Sequence, residues 1–152
     1  MISDAIIRPA RASDATKLEA IARAAYVKYV ARLGREPVPI SADYPAAIRA
    51  GHAIVIERGN DIAGYLIGWP EPDVYFIDNV AVDPAHQGHG LGRALLQDAA
   101  AQAQTLKIPA LRLYTNAAMT ENLSLYAHLG FVETHRAVED GYDRVYMSLY
   151  FP

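Results

Sequence analysis

The strongest constraint on the fold is the passage from residue 74 to residue 106. An apolar run, VYFIDNVAV (74–82), gives way to DPAHQGHGLG, and a helical pattern follows over 90–106. Gly88, Gly90 and Gly92 fall at alternate positions where that helix must begin. Glycine loses more backbone freedom on folding than any other residue, so three of them beside a helix start need a reason. Leu91, Leu95, Ala99 and Ala103 make one stripe of the helix, and Leu106 extends it. The next apolar run, ALRLYT (110–115), reads as a strand, so the order strand, helix, strand implies a parallel, right-handed crossover.

The flanking sequence adds strands and helices on either side. AIIRPA (5–10) reads as a strand ended by proline. Ser13 stands at an N-cap position with Asp14 in the first turn, and Leu18, Ile21, Ala22, Ala25 and Tyr29 follow at helical spacing. An amphipathic helix is therefore expected over 14–31. Gly34, Pro37, Pro39 and Pro45 mark a loop that leads toward a short helix. HAIVIE (52–57) and IAGYLIGW (62–69) pair as a hairpin about RGND. TENLSLYAHL is a short helix stopped by Gly130, and FVETHRAV and RVYMSLYF are two strands turned by EDGYD. The result is an α/β fold, a mixed central sheet of about seven strands flanked by helices. With 152 residues and no internal repeat, one domain over 1–152 is expected.

Composition excludes several classes of function. The chain has no cysteine, so disulfides, thiolate metal sites and a cysteine nucleophile are out. Net charge is −3 with no cluster of lysines or arginines, which argues against nucleic acid as the partner. No run of ~18 apolar residues is present to span a membrane. The opening MISDAIIRPARASD lacks a basic region followed by a long apolar stretch, so a cytoplasmic location is expected. His86 and His89 in HQGH sit on a glycine loop, where histidines usually stay solvated, and no metal is expected.

A helix leaves its first N–H groups unpaired, and its dipole adds about half a positive charge there. That makes an anion site, and glycines let a phosphate approach several amides at once. Gly88, Gly90 and Gly92 fit a loop wrapped around a pyrophosphate, with Gln87 as a side-chain donor. A tight glycine turn without any ligand is the alternative. No Gly-Lys-Ser/Thr triplet exists, so this is not a Walker A loop. A Rossmann fingerprint needs G-x-G-x-x-G after the first strand and an acidic residue about 20 positions on. Here the spacing is G-x-G-x-G after a later strand, and Arg112 stands at the acidic position.

NVAVDPAHQGHGLGRALL resembles motif A of the GNAT superfamily of acetyl-CoA-dependent N-acetyltransferases, whose core is Gln/Arg-x-x-Gly-x-Gly/Ala. IIRPARASDATKLEAIA is similar to the opening strand and helix of that family, and NLSLYAHLGFV to its C-terminal motif B. The resemblance implies the GNAT fold and acetyl-CoA as co-substrate. It implies that amides of Gln87, Gly88, Gly90, Gly92 and Arg93 hold the CoA pyrophosphate, and that the backbone of Val80, Ala81 and Val82 pairs with pantetheine. Tyr126 matches the tyrosine that protonates the departing sulfur. Many members carry an asparagine where this chain has Met119; Asn116 or Asn122 then takes its place, with Asn122 the cofactor residue expected. Several members carry a catalytic glutamate where this chain has Phe76. Asp78 and Asn79 are the polar residues of FIDNVAV; Asp78 is expected to bind or deprotonate the amine, unless both side chains merely bond backbone at a strand bulge.

The expected reaction is direct transfer of acetyl from acetyl-CoA to a primary amine of a small molecule or peptide. A backbone N–H near Val80 would stabilise the oxyanion, and residues 32–45 with Tyr26, Glu71 and Tyr75 would line the substrate pocket. A non-catalytic acyl-CoA-binding sensor on the same fold and a nucleotide-binding oxidoreductase are the rival readings. Finally, RVYMSLYF places Val145, Met147, Leu149 and Phe151 on one face of a terminal strand. Such a strand is a liability if exposed, so a homodimer that buries it is expected.

Overall fold

The computed structural model describes residues 5–152; the first four residues of the opening read for a targeting signal lie outside them. The strands form one seven-stranded sheet in the order β1-β2-β3-β4-β5-β7-β6. The chain divides into two compact units, Met1–Gly68 with Asn79–Gln97, and Trp69–Asp78 with Asp98–Pro152. Among the described residues no helix is long and apolar enough to cross a membrane.

In the first unit, β1 (Ala5–Pro9) pairs antiparallel with β2 (Ala53–Arg58), and β2 with β3 (Asp61–Pro70). Residues 63–68, AGYLIG, are buried without a break, as expected of a strand covered on both faces. Gly64 is required there: a Cβ would stand 2.8 Å from the Ala81 carbonyl oxygen of β4 (Tyr75–Val82). The single helix expected over 14–31 is broken. A 3-10 turn at Ala12–Asp14 leads into α1 (Ala15–Tyr26), a second 3-10 turn follows at Val27–Tyr29, and α2 is Val30–Leu33. Tyr26 and Tyr29 are both buried and three residues apart, the spacing that a 3-10 turn aligns. Ser13 is not the cap. Asp14 accepts the Arg11 N–H at 2.7 Å and pairs with the Arg8 guanidinium at 2.8 Å, which holds its carboxyl below the usual carboxylate range. Further along, α3 spans Tyr44–Arg49 and is capped by Asp43, which accepts the Ala46 N–H.

In the second unit, β4 runs parallel to β5 (Ala110–Asn116), pairing Tyr75↔Leu111 through Ile77↔Leu113. The remaining strands are β6 (Val132–Glu139) and β7 (Tyr142–Tyr150). β7 lies between β5 and β6 and is paired along its length on both sides. The premise of the expected dimer is thereby corrected: the terminal apolar strand is an interior strand, and its Val145 and Met147 are already buried within the protomer. β6 is the edge, with Val138 73% exposed.

α4 is Leu91–Thr105, with Leu91, Leu95, Ala99 and Ala103 buried as the periodicity required. Leu106 does not extend that stripe; it is 55% exposed. The helix has ended by then, Lys107 takes a positive φ of 61°, and the turn buries Ile108 instead. α5 is Thr120–His128, and Gly130 follows in the left-handed region at φ 101°, the stop expected of it.

Candidate active site

The glycine loop is a fixed structure. Asp83 starts it by accepting the Ala85 N–H at 3.0 Å, and Pro84–His86 forms one 3-10 turn. Gly88 and Gly90 then take φ values of 84° and 74°. Both are in the region that side-chain-bearing residues avoid, so the path of the backbone itself demands these two glycines. Gly92 is different. Its φ is not left-handed, and a Cβ there would meet only Val82 Cγ2, at an ordinary 3.6 Å. The protein alone has room for alanine at 92. The first ladder bond of α4 is Ala94 N–H to the Gly90 carbonyl, so the amides of Leu91, Gly92 and Arg93 are the open donors of a helix start, whereas the Gln87 N–H already donates to the Pro84 carbonyl at 3.4 Å.

Gln87 was expected to offer its side-chain amide to a phosphate. Instead its Nε2 donates to the Val82 carbonyl at 3.2 Å and ties the loop to the end of β4. His86 Nε2 stands 3.0 Å from Asp61 and is part of the same tether, since Lys17 bridges Asp61 and Asp83. This neighbourhood holds the Asp61 carboxyl below its ordinary value, His86 contributing most.

The backbone of Val80, Ala81 and Val82 is not uniform. The Asp83 N–H bonds the Ala63 carbonyl, and the Ala81 carbonyl lies against Gly64, so the odd-numbered peptides face β3. Val80 and Val82 present theirs to the other side. There the Val80 carbonyl accepts from the Tyr26 hydroxyl at 2.9 Å, and the Val82 carbonyl from Gln87.

Asn79 is explained by a buried polar network rather than by bonds to its own strand's bulge. Its Nδ2 donates to Tyr44 Oη at 2.8 Å, and its Oδ1 accepts from Tyr65 at 3.1 Å and Tyr26 at 3.4 Å. Tyr44 donates in turn to the Pro39 carbonyl. All three phenols have an acceptor for their single proton, and burial pushes the Tyr65 hydroxyl well above its ordinary value. None of the three is placed to serve as a proton donor to substrate. The sequence showed Tyr26, Asn79 and the 32–45 segment separately; nothing in their spacing announced that they meet.

In the second unit, Asp78 is half-buried and its charge reaches the Tyr114 phenol. That phenol is raised first by burial, then by Asp78, with Arg144 opposing. Tyr126 is buried on α5 and packs against Phe131 at 5.7 Å between ring centroids. Met119 is also buried, and its sulfur receives Thr115 Oγ1 and Asn122 Nδ2, each at 3.6 Å. Asn116 spends its Oδ1 on the Ala118 N–H at 2.9 Å, a turn-forming bond. Of the two asparagines considered, Asn122 is therefore the less committed to local backbone.

The chain belongs to the acetyltransferase (GNAT) family, whose model matches residues 17–131. It is 33% identical over 90 residues to mycothiol acetyltransferase of Pseudarthrobacter chlorophenolicus, covering 54% of this chain and 27% of that protein. It is 33% identical over 69 residues to L-2,4-diaminobutyric acid acetyltransferase of Vibrio parahaemolyticus, covering 41% of this chain and 38% of that one. The chain thus spans well under half the length of these curated relatives. The structure of PaiA N-acetyltransferase from Thermoplasma acidophilum in complex with coenzyme A superposes with a TM-score of 0.82 over 97% of this chain and 99% of that one, at 18% identity. At that identity the likeness establishes the shared fold.

Proposed function

We propose that the protein transfers the acetyl group of acetyl-CoA to a primary amine of a small molecule or peptide, by direct attack. Gly92 is the observation that carries this. Two loop glycines are required by backbone conformation, but the third is a Cβ that the fold itself would accept. Room kept free beside unpaired helix amides is room for an anion, and the family's co-substrate carries a pyrophosphate. The relatives named mycothiol acetyltransferase and L-2,4-diaminobutyric acid acetyltransferase support acetyl transfer, and the second name supports an amine as acceptor.

Acetyl-CoA supplies the activated acyl group. The amides of Gly88, Gly90, Gly92 and Arg93 hold its pyrophosphate, and Gln87, bonded to the Pro84 and Val82 carbonyls, holds the loop that presents them. Val80 and Val82, whose peptides point away from β3, receive the pantetheine arm and offer an N–H to the developing oxyanion. Asn122 adds a side-chain contact to that arm. The C–N bond forms first and turns the carbonyl into a tetrahedral oxyanion, which collapses by breaking the C–S bond; the amine gives up one proton and the sulfur takes one. Asp78 holds or deprotonates the amine, and Tyr126 delivers a proton, or a strong hydrogen bond, to the sulfur.

Gly92→Ala tests the co-substrate directly. Alanine is the better helix former by up to about 1 kcal/mol, so the melting temperature holds or rises. Acetyl-CoA affinity, read by calorimetry, falls ~10-fold or more because the Cβ occupies the phosphate's space. A stable variant with wild-type affinity would overturn the assignment. CoA release over a panel of amines then separates a transferase from an acyl-CoA sensor, which binds without release.

A further inference from the structure

The second unit has two unlike sheet faces. Tyr75 and Ile77 of β4, Leu111 and Leu113 of β5, and Val145 and Met147 of β7 point to one side and are all buried. The residues between them point to the other side. There a row of rings crosses five strands without a gap. Trp69 meets Phe76 at 5.4 Å between centroids, Phe76 stacks on Tyr114 at 6.0 Å, Tyr114 meets Tyr146 at 5.6 Å, and Tyr146 stacks on His135 at 4.3 Å. Trp69, Phe76, Tyr114 and Tyr146 are only half-buried, and His135 is exposed.

The charges on this face are not evenly distributed. At the Tyr146 end, Arg144 lies 4.3 Å over the Tyr114 ring and pairs with Glu139, which also accepts the Tyr146 hydroxyl. Arg112 turns to Ser148 at 3.4 Å. At the Trp69 end the charges are acidic: Glu71 accepts the Trp69 indole N–H at 3.2 Å, and Asp78 follows Phe76 by two residues on the same face. Rings bordered by carboxylates attract a cation that carries a flat apolar group.

We propose that this end of the row, Trp69 and Phe76 with Asp78, selects a primary amine borne on an aromatic ring by a short alkyl chain. The ammonium pairs with Asp78 and the ring stacks on Phe76 and Trp69. This rests on the acetyl-transfer reading and adds the class of acceptor. Cross-strand pairing alone would not call for carboxylates beside the half-buried rings; Glu71 and Asp78 at the Trp69 end supply the charge that an aromatic amine needs.

The test compares 2-phenylethylamine with 2-cyclohexylethylamine, which match in length and bulk but differ in aromaticity. Wild-type protein is expected to favour the phenyl compound by roughly 3- to 10-fold in kcat/KM, the range that ring stacking adds beyond buried area. Phe76→Leu and Trp69→Leu, each with acetyl-CoA affinity retained, bring the ratio close to one. Equal rates for the two amines in the wild type would overturn the proposal, as would a preference that survives both substitutions. Calorimetry of 2-phenylethylamine with the CoA-bound protein separates the two levels of inference. Ring-dependent binding without turnover overturns the transfer reaction but supports the aromatic site.

Discussion

The Tyr26 hydroxyl donates to the Val80 carbonyl at 2.9 Å, fixing a backbone group of β4 from the end of α1. A strand carbonyl normally finds its donor in a neighbouring strand; here a side chain 54 residues away in sequence supplies it. Tyr26→Phe leaves that carbonyl and Asn79 Oδ1 short of a donor in a buried setting. Denaturant unfolding should show a loss of about 1–3 kcal/mol. If Val80 also steadies the oxyanion, kcat falls further than in Tyr44→Phe, which disturbs the same network without touching Val80. Equal kcat in the two variants would leave Tyr26 a purely structural residue.

Gly90 sits at φ 74°, where a β-branched residue is strained, and its amide belongs to the proposed phosphate cradle. Gly90→Val is expected to weaken acetyl-CoA binding ~10-fold or more and to cost stability as well. Taken with Gly92→Ala, whose stability moves the opposite way, calorimetry and melting curves distinguish a ligand effect from a folding effect.

Tyr126→Phe deletes one hydroxyl from a buried side chain whose ring contact with Phe131 remains. Binding of acetyl-CoA should hold while kcat drops ~10- to 10³-fold, the span for losing one acid or one charge-stabilising donor. Pre-steady-state measurement under conditions where chemistry limits the rate provides the check; an unchanged rate means the tyrosine only packs.

Asp78→Asn removes the charge and keeps the shape. The amine's kcat/KM should fall ~10²-fold or more with acetyl-CoA affinity intact. The same substitution has a second reading by alkaline titration. Asp78 adds to the upward shift that burial gives the Tyr114 phenol, so its removal lets Tyr114 ionise at lower pH than in the wild type. No change in phenolate absorbance would mean that Asp78 is screened from Tyr114.

Asp14 carries a pH dependence of stability. Arg8 lowers its folded value below 3.8, so its contribution is present above the unfolded value and is lost as pH falls through the folded one. Asp14→Asn should be less stable than wild type at neutral pH, and the gap should start to narrow near pH 3.8 and close only once pH has fallen through the lowered folded value. A gap that persists in acid would assign the effect to the Arg11 N–H bond alone.

The sequence made the parallel crossover, both hairpins and the glycine loop legible, because each is a local pattern: an apolar period, a turn residue, a helix start. Four features were not local and were not legible. The helix over 14–31 breaks after Tyr26 because packing of Tyr26 and Tyr29 sets the turn geometry, which a 3.6-residue period does not report. Gln87 was assigned to a ligand because its reach to the Val82 carbonyl depends on the path of the loop between them. Asn79 looked anomalous in an apolar strand until Tyr44, Tyr65 and Tyr26 supplied its partners from three separate stretches of chain. Strand order was the largest omission: apolar alternation in β7 is the same for an edge and for an interior strand.

That insertion of β7 between β5 and β6 carries a consequence for how the chain is made. Synthesis runs from β5 through α5 and β6 before β7, yet β6 touches no strand but β7 in the sheet order. Until Tyr142–Tyr150 has left the ribosome, β5 presents an open edge and β6 has no strand of this sheet to pair with. The second unit therefore closes in one late event, and a chain interrupted after Glu139 leaves the edges of both β5 and β6 that β7 would cover without a partner strand.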